Sequence, residues 1–389
     1  MENPVTTIWR QRHQFVAKST EALLPAAIVN RLREKRVWKK WIDSLSHETL
    51  ADLTNGPPEI KRRVFKAHVR RVEIETHAKC NRICSFCPNV RADRRLDQTI
   101  MDNAVLDSVF HELGSIDYTA QIVVARYSEP LANRPYLYQC LAQARAAVPR
   151  AELCITTNTD YLTPAVLDKL CELGLNRLYM SLYLRDRERW SIELARTYTE
   201  RLQKKLGIRP LSVTESPTTV LATYTYKGLY LSSTCHNWQT YGTDRGGSLT
   251  QYQSEPRVGP CRDPFETFVI DYNGSVVPCC AVRSDLPEHR KLVAGNLSNA
   301  GASIFDIYAG QLSSWRRVLV GFGPKEVPCA TCRHRDLTAD LVPAISKHLE
   351  RRLHKIGHAA EHRSPVASAA NVQGGGDSAD QLYSIEQPK

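Results

Sequence analysis

The sequence contains no long apolar run, and its first residues contain no apolar stretch. No segment approaches the ~18 apolar residues that a membrane-spanning helix needs. The opening MENPVTTIWRQRHQ lacks the apolar core of a secretory signal, so we expect a cytoplasmic protein with no membrane partner. Thiols stay reduced in the cytoplasm, and the 12 cysteines are therefore not expected to form disulfides. Those that cluster along the chain are candidate metal ligands.

Acidic residues are fewer than basic ones, which gives the chain a formal net charge of +11. A charge of this sign is compatible with binding to nucleic acid or to an anionic substrate. The basic residues concentrate at 31–40, 61–71 and 333–355, outside the segments expected in the core, and no aromatic-rich pattern interleaves them. A solvated basic surface is therefore favoured over nucleic-acid binding.

Strands and helices alternate through the central part of the chain, beginning with the strand VEIET at 72–76. Further strands are predicted at 121–125, 153–157 and 177–182, and helices at 101–113, 136–148 and 163–173. Such alternation is typical of βαβ units that build a parallel sheet. Ligands of these sheets bind at the carboxyl ends of the strands.

The segments on either side of this core have a different composition. Residues 1–66 are expected to form charged helices, with Ile28, Leu32, Val37 and Trp41 on an approximately helical period. Residues 357–389 are small and polar and cannot bury enough surface to become ordered, so a disordered tail is expected there.

Two further β structures are predicted in the second half of the chain. Residues 209–231 contain two strand-like runs around Lys227–Gly228, which favour a hairpin. Residues 261–332 predict a compact unit, with a β pair that turns at Asn273–Gly274 and a helix near 304–320.

Three cysteines, Cys80, Cys84 and Cys87, follow the first predicted strand with the spacing C-x3-C-x2-C. Thiolates hold iron–sulfur clusters, and closely spaced cysteines on one loop can wrap a single cluster. Three ligands for four irons leave one iron open, which is the condition a metal needs to bind substrate. A zinc loop is the alternative, but zinc usually takes C-x2-C pairs and a closed set of four ligands, and no His lies at the matching distance.

This motif resembles that of the radical S-adenosylmethionine (SAM) superfamily, and the resemblance covers roughly residues 72–231. In that family the open iron chelates the amino and carboxylate groups of SAM, and an electron from the cluster then cleaves the sulfonium to give a 5′-deoxyadenosyl radical. The segment 127–130 is similar to the family's Gly-Gly-Glu-Pro, and 156–158 is similar to its Thr-Asn-Gly. The SAM-binding residues that the resemblance implies are Phe86, Ser128, Glu129, Asn158 and Ser181.

A second set of cysteines lies in the predicted C-terminal unit. A hairpin around Asn273–Gly274 brings Cys261 and Cys279 close together, and Cys329 and Cys332 supply a further pair, so four thiolates form a closed site. The pattern resembles the SPASM/twitch extension of radical SAM enzymes in its form with one auxiliary [4Fe–4S] cluster. Structural zinc is the alternative, since four thiolates suit it equally well. Cys280 should point away from Cys279 in an extended strand and is the second choice as ligand.

The remaining cysteines are expected to be buried small hydrophobes: Cys140, Cys154 and Cys171. Cys235 follows the last predicted barrel strand and has two interpretations. It is a packed thiol or, as in some relatives, a cavity-facing donor of a hydrogen atom, and the packed thiol is favoured.

Together the resemblances imply an α/β fold: a partial (β/α)6 TIM-like barrel with a small C-terminal α+β cluster-binding domain and a helical N-terminal extension. The predicted divisions are 1–66, 67–259, 260–340 and the tail at 357–389. Two [4Fe–4S] clusters and SAM are the expected cofactors. The expected partners are a small-molecule substrate, with a peptide as an alternative, and an external electron donor such as flavodoxin or ferredoxin.

The reaction expected first is oxidation of an alcohol or amine carbon, as in the family's single-auxiliary-cluster dehydrogenases of aminocyclitol biosynthesis. An epimerase, a peptide-modifying SPASM maturase and a zinc-bearing nucleic-acid-binding protein are the alternatives. The substrate pocket is predicted near Arg126, Tyr183, Trp238 and Arg245.

Overall fold

The structure is a computed structural model that describes residues 26–185, 188–334 and 336–357. Residues 1–25 of the predicted N-terminal extension and the predicted tail beyond residue 357 lie outside the described residues. The chain divides into two compact units, which in the described ranges comprise 26–47 with 337–357, and 48–336. No described helix is both long enough and apolar enough to cross a membrane.

The smaller unit pairs two helices, α1 (Ala26–Ser44) and a C-terminal helix (Val342–Lys355, α12 below). The packing face of α1 differs from the predicted one, because Ile28, Leu32 and Val37 are exposed and only Trp41 is buried. Trp38 and Trp41 meet edge to face at 5.4 Å. Because these two indoles carry the most apolar surface on the helix, they determine which side of it is buried.

The larger unit contains every β-strand among the described residues. Its strands are β1 (Arg71–Ile74), β2 (Gln121–Val124), β3 (Glu152–Thr157), β4 (Arg177–Leu182), β5 (Ser212–Ser216), β6 (Thr219–Tyr226), β7 (Leu229–His236), β8 (Thr267–Ile270), β9 (Ser275–Val277) and β10 (Gly295–Asn296). The helices of the chain after α1 are α2 (His47–Leu50), α3 (Pro58–His68), α4 (Asn103–Ser115), α5 (Arg134–Ala147), α6 (Pro164–Glu172), α7 (Ile192–Leu206), α8 (Trp238–Tyr241), α9 (Asp263–Glu266), α10 (Ile304–Ala309), α11 (Ser313–Leu319) and α12.

One sheet runs through the larger unit, with the order β10-β9-β8-β1-β2-β3-β4-β7-β6-β5. The six central strands, from β8 to β7, are mutually parallel, which confirms the predicted α/β fold and partial barrel. The predicted helices also form, and α6 begins as expected because the Thr163 side chain accepts a hydrogen bond from Val166 N. The carboxyl ends of β1, β2 and β3 therefore meet at one edge of the barrel.

Two of the six parallel strands have an unexpected origin. The run at 209–231 forms the predicted hairpin around Lys227–Gly228, but only its second strand, β7, joins the parallel core, while β5 and β6 extend the sheet antiparallel. The sixth parallel strand is β8, which pairs with β1. The sheet thus continues across the division predicted between residues 259 and 260, and that division stays a prediction.

The predicted helix near 304–320 is two short helices, α10 and α11, with a break at Gly310. A Cβ at Gly310 would lie 2.7 Å from the Thr54 hydroxyl oxygen and 2.9 Å from the Asp306 carbonyl. The close approach of this backbone to residue 54 requires glycine, and the chain turns there instead of continuing the helix. The β pair that turns at Asn273–Gly274 forms as predicted.

Candidate functional site

A cavity of about 220 Å³ opens at the carboxyl ends of the parallel strands. The thiols of Cys80, Cys84 and Cys87 all line it, since the loop that carries them follows β1 directly. Two backbone hydrogen bonds shape the loop: Cys87 N donates to Cys84 O at 2.9 Å, and Cys80 N donates to Arg94 O at 3.3 Å. The structure therefore gathers the three cysteines of the sequence motif around one space.

The chemistry of these thiols fits a metal cluster. Burial raises the pKa of Cys80 to about 11. Burial also raises the pKa of Cys87, although Arg245 and Arg283 oppose the shift. Without a metal the Cys80 and Cys87 thiols are therefore protonated near neutral pH, and a cation that binds them must displace protons. Three thiols around a single cavity suit an iron–sulfur cluster with an open iron.

Glu129 lies in the wall of the same cavity and is only 2% exposed. Its carboxylate accepts hydrogen bonds from the Thr157 hydroxyl at 2.6 Å and from Asn158 N at 2.7 Å. Burial raises the pKa of Glu129 to about 7 against the effect of these donors. A cation placed beside this carboxylate would stabilise its ionised form and offset part of the free energy that burial of the charge costs.

Four of the five residues predicted to bind SAM line the cavity: Phe86, Ser128, Glu129 and Asn158. The fifth, Ser181, is not among the described residues that line it. It lies two residues before Tyr183, which does line the cavity. The cavity is also lined by the four residues near which the substrate pocket is predicted: Arg126, Tyr183, Trp238 and Arg245.

Glu75 positions the segment that stands where the resemblance expects two glycines. Its Oε1 accepts hydrogen bonds from the backbone N of both Tyr127 and Ser128 at 2.9 Å, and Arg94 donates to the same oxygen at 2.8 Å. Glu75 has 0% exposure. Sequence reasoning missed this residue, although a charged residue at the end of a strand expected in the core was a usable signal.

The Glu75 contact belongs to a buried network that joins two loops. Arg94 donates to Asp285 at 2.9 Å, and Arg283 donates to Asp285 at 2.6 Å. Arg283 also donates to Asn89 Oδ1 at 2.8 Å. The loop after the three cysteines is therefore tied by charge-assisted hydrogen bonds to the loop after β9.

An aromatic wall closes one side of the cavity. The rings of Phe86 and Trp238 are stacked with centroids 4.1 Å apart, and Tyr183 lies 5.0 Å from Phe86. Flat apolar surface of this kind binds a planar heterocycle and excludes water.

The second cysteine set lines a separate, small cavity of about 20 Å³: Cys261, Cys279, Cys329 and Cys332. Burial and the neighbouring thiols raise the pKa of Cys332 to about 12 and that of Cys329 well above its usual value. Four thiols that disfavour each other's ionisation form a site that a bound cation stabilises. The donor set suits either an iron–sulfur cluster or zinc.

Cys279 and Cys280 line different cavities. Cys279 lies with the other three thiols of the second set, while Cys280 lines the first cavity. The hydroxyl of Tyr127, which also lines the first cavity, donates to Cys280 O at 2.6 Å. The two thiol sets thus border on one another through a single peptide unit.

The other cysteines lie outside both cavities. Cys140, Cys154 and Cys235 are fully buried, and Cys171 is partly buried against the apolar core. Cys235, which could have faced the substrate, packs in that core beside the other residues of β7. The favoured interpretation of Cys235 as a packed thiol is confirmed.

Two family models match the chain. One, described as the radical SAM superfamily, matches residues 74–207, and the other, the SPASM iron–sulfur cluster-binding domain, matches residues 261–333. A curated relative, the S-adenosyl-L-methionine-dependent 2-deoxy-scyllo-inosamine dehydrogenase of Niallia circulans, is 33% identical over 110 residues. That match covers 28% of this chain and 43% of the relative.

Solved structures with similar backbones include BtrN in complex with AdoMet and 2-DOIA, at 23% identity and a TM-score of 0.47. This match covers 64% of the present chain and 87% of BtrN. Native anSMEcpe with bound AdoMet matches at 14% identity and a TM-score of 0.36, over 78% of this chain and 100% of that one.

Proposed function

The chain belongs to the radical SAM superfamily and carries a C-terminal SPASM domain, and from this we propose that it oxidises an alcohol or amine carbon of a small molecule. The cofactors that these domains imply are [4Fe–4S] clusters and SAM. The proposal depends on two thiol sets that line neighbouring cavities. One set has three cysteines and the other has four, and residues 279 and 280 lie where the two cavities meet.

Each thiol set is assigned one cluster in this proposal. Cys80, Cys84 and Cys87 hold the first, and the four cysteines of the second cavity hold the auxiliary one: Cys261, Cys279, Cys329 and Cys332. When bound, the first cluster and SAM supply a hydrogen-abstracting 5′-deoxyadenosyl radical, and the auxiliary cluster supplies an electron acceptor. The electron that starts the reaction comes from an external donor such as flavodoxin or ferredoxin.

The residues around the first cavity orient SAM and exclude water from it. The Glu129 carboxylate accepts a hydrogen bond from the amino group of SAM, and Glu75 holds the backbone at Tyr127 and Ser128 in the conformation that faces this group. Phe86 and Trp238 offer their ring surfaces to the adenine and exclude water.

Two observations support oxidation as the reaction. The curated relative is named as a dehydrogenase that depends on S-adenosyl-L-methionine. Cys280 lines the first cavity while its neighbour Cys279 lines the second, so a substrate radical in the first cavity lies next to the proposed electron acceptor. Removal of one hydrogen atom, one proton and one electron converts an alcohol carbon to a carbonyl.

The iron content of the protein tests the proposal. Anaerobically reconstituted protein should bind about eight irons, four in each [4Fe–4S] cluster, and its brown colour should bleach with dithionite. A colourless protein with stoichiometric zinc and no iron would refute the proposal and favour the nucleic-acid-binding alternative.

Epimerisation is the second candidate, because Cys280 lines the first cavity and belongs to neither proposed ligand set. Its Sγ lies 3.6 Å from Nε2 of His334, a residue that lines the second cavity. An S–H bond is weaker than most C–H bonds, so a thiol can return a hydrogen atom to a substrate radical. Cys235, considered for this role from the sequence, lies outside the cavity.

Once a substrate is found, a mass spectrum of the product made in heavy water separates the two reactions. Oxidation should give a product that has lost two hydrogens and has gained no carbon-bound deuterium. Deuterium at an inverted carbon, lost in Cys280→Ser and retained in the control Cys235→Ser, would show epimerisation instead. In both reactions deuterium placed at the attacked carbon should appear in 5′-deoxyadenosine.

A further inference from the structure

Arg245 lines the first cavity, and its backbone has a positive φ, which residues other than glycine rarely adopt. Its φ is 48°, and those of the following Gly246 and Gly247 are 67° and 87°. Glycine adopts the left-handed region freely, whereas for other residues it carries strain that the surrounding structure must maintain. A strained arginine in a cavity wall is therefore a candidate functional residue.

The loop that carries Arg245 is fixed on both sides. The Asp244 carboxylate accepts a hydrogen bond from the Thr331 hydroxyl at 2.7 Å, and the Gly246 carbonyl accepts one from His289 Nε2 at 2.9 Å. Ser248 Oγ donates to the Arg245 carbonyl at 2.9 Å. These bonds tie the loop to the C-terminal part of the larger unit and hold the arginine in place without any contact to its guanidinium.

Three arginines lie near the ring of Tyr127, and two of them form ion pairs with aspartates. The guanidinium carbons of Arg126, Arg283 and Arg245 lie 5.0, 5.6 and 6.0 Å from the ring centroid. Arg126 forms an ion pair with Asp271, and Arg283 forms one with Asp285. Arg245 forms no ion pair with any described residue, and its buried Nε has no hydrogen-bond partner there.

The other cations of the cavity wall are also paired. Arg71 lies 3.2 Å from the Glu73 carboxylate, and Arg82 lies 2.5 Å from Asp160. Within the described part of the wall, Arg245 is thus the cation left without a counter-charge. Burying an unpaired charge is costly, so an anion supplied from outside the chain would stabilise this site.

Arg245 lines the first cavity together with Cys87 and Cys280. Its guanidinium carbon lies 6.0 Å from the centroid of the Tyr127 ring, and the Tyr127 hydroxyl donates to Cys280 O at 2.6 Å. Cys87 belongs to the first thiol set and Cys280 borders the second. The guanidinium therefore faces the space between the two sets, where the proposed reaction places the substrate.

We propose that Arg245 binds an anionic group, a carboxylate or a phosphate, of the substrate. This inference rests on the proposed function, since it assumes that the space between the thiol sets holds the substrate. The planar guanidinium matches both groups with paired hydrogen bonds. The carboxylate of SAM has the same chemistry, and the experiment must distinguish it from a substrate anion.

The test uses reconstituted protein loaded with SAM and measures the affinity for inorganic phosphate by calorimetry. Arg245→Gln should weaken phosphate binding roughly 10-fold or more, the size of a lost charge-assisted hydrogen bond, while Arg245→Lys should retain most of it. The matched control is Arg196→Gln, which removes an arginine of α7 that is paired with Glu215 and lies outside the first cavity, and it should leave phosphate affinity unchanged. Affinity for SAM should stay within about twofold of the wild type in the Arg245 variants if the bound anion belongs to the substrate, and substrate-free formation of 5′-deoxyadenosine should be unchanged in the control.

Three outcomes would overturn the inference. Wild-type protein that binds no phosphate, or Arg245→Gln protein that binds it equally well, would show that Arg245 is not an anion site. A large loss of SAM affinity in Arg245→Gln would assign the guanidinium to the SAM carboxylate instead. Failure of the proposed function would be separate, since wild-type protein itself would then form no 5′-deoxyadenosine.

Discussion

Replacing Cys80, Cys84 and Cys87 together by Ala should remove about four of about eight irons and abolish the formation of 5′-deoxyadenosine from SAM. All three thiols line the cavity that also contains Glu129, and no open iron remains to bind SAM without them. Iron analysis and chromatography of the nucleoside products measure the two effects.

The matched control removes three thiols from elsewhere in the chain: Cys140, Cys171 and Cys235. These thiols lie in or against the apolar core and line neither cysteine-bearing cavity, so their replacement by Ala should leave the iron content unchanged. Full iron content in the first triple variant, or equal iron loss in both, would contradict the assignment of the first thiol set.

Replacing Cys329 and Cys332 by Ala should remove the other four irons, about half of the total, and abolish oxidation of the substrate. Both thiols line the second cavity, and neither lines the first. Reductive cleavage of SAM to 5′-deoxyadenosine should therefore stay detectable, because Cys80, Cys84, Cys87 and Glu129 are unchanged. Iron analysis with the same nucleoside assay gives both results.

A Cys329 and Cys332 double variant that keeps full iron content would show that the auxiliary site is misassigned. The variant Cys280→Ala is a useful comparison, since it changes the cysteine next to the proposed ligand Cys279. Because Cys280 lines the other cavity, this variant should keep about eight irons.

The features predicted correctly from the sequence depend on residues close together in the chain. The C-x3-C-x2-C spacing placed three thiols on one loop, and Lys227–Gly228 marked a tight hairpin because both residues adopt positive φ. Cys279 and Cys280 also line different cavities, although the alternation expected for an extended strand does not apply because β9 ends at Val277.

The features that the sequence did not reveal depend on contacts between distant segments. The pairing of β8 with β1 joins residues 267–270 to 71–74, and no local pattern specifies that partner. Glu75 was overlooked because its function depends on the backbone of Tyr127 and Ser128, more than fifty residues away. The prediction of which face of α1 is buried was wrong, because the helical period alone does not show that two large indoles bury more apolar surface than smaller apolar side chains do.

The most direct measurement of the proposed chemistry is the yield of 5′-deoxyadenosine when the anaerobically reconstituted protein is reduced with dithionite in the presence of SAM. The predicted result is 5′-deoxyadenosine well above the yield of protein-free controls, lost in the Cys80, Cys84 and Cys87 triple variant. A wild-type protein that binds its full complement of about eight irons and SAM, yet forms no 5′-deoxyadenosine above those controls, would contradict radical SAM chemistry at this site.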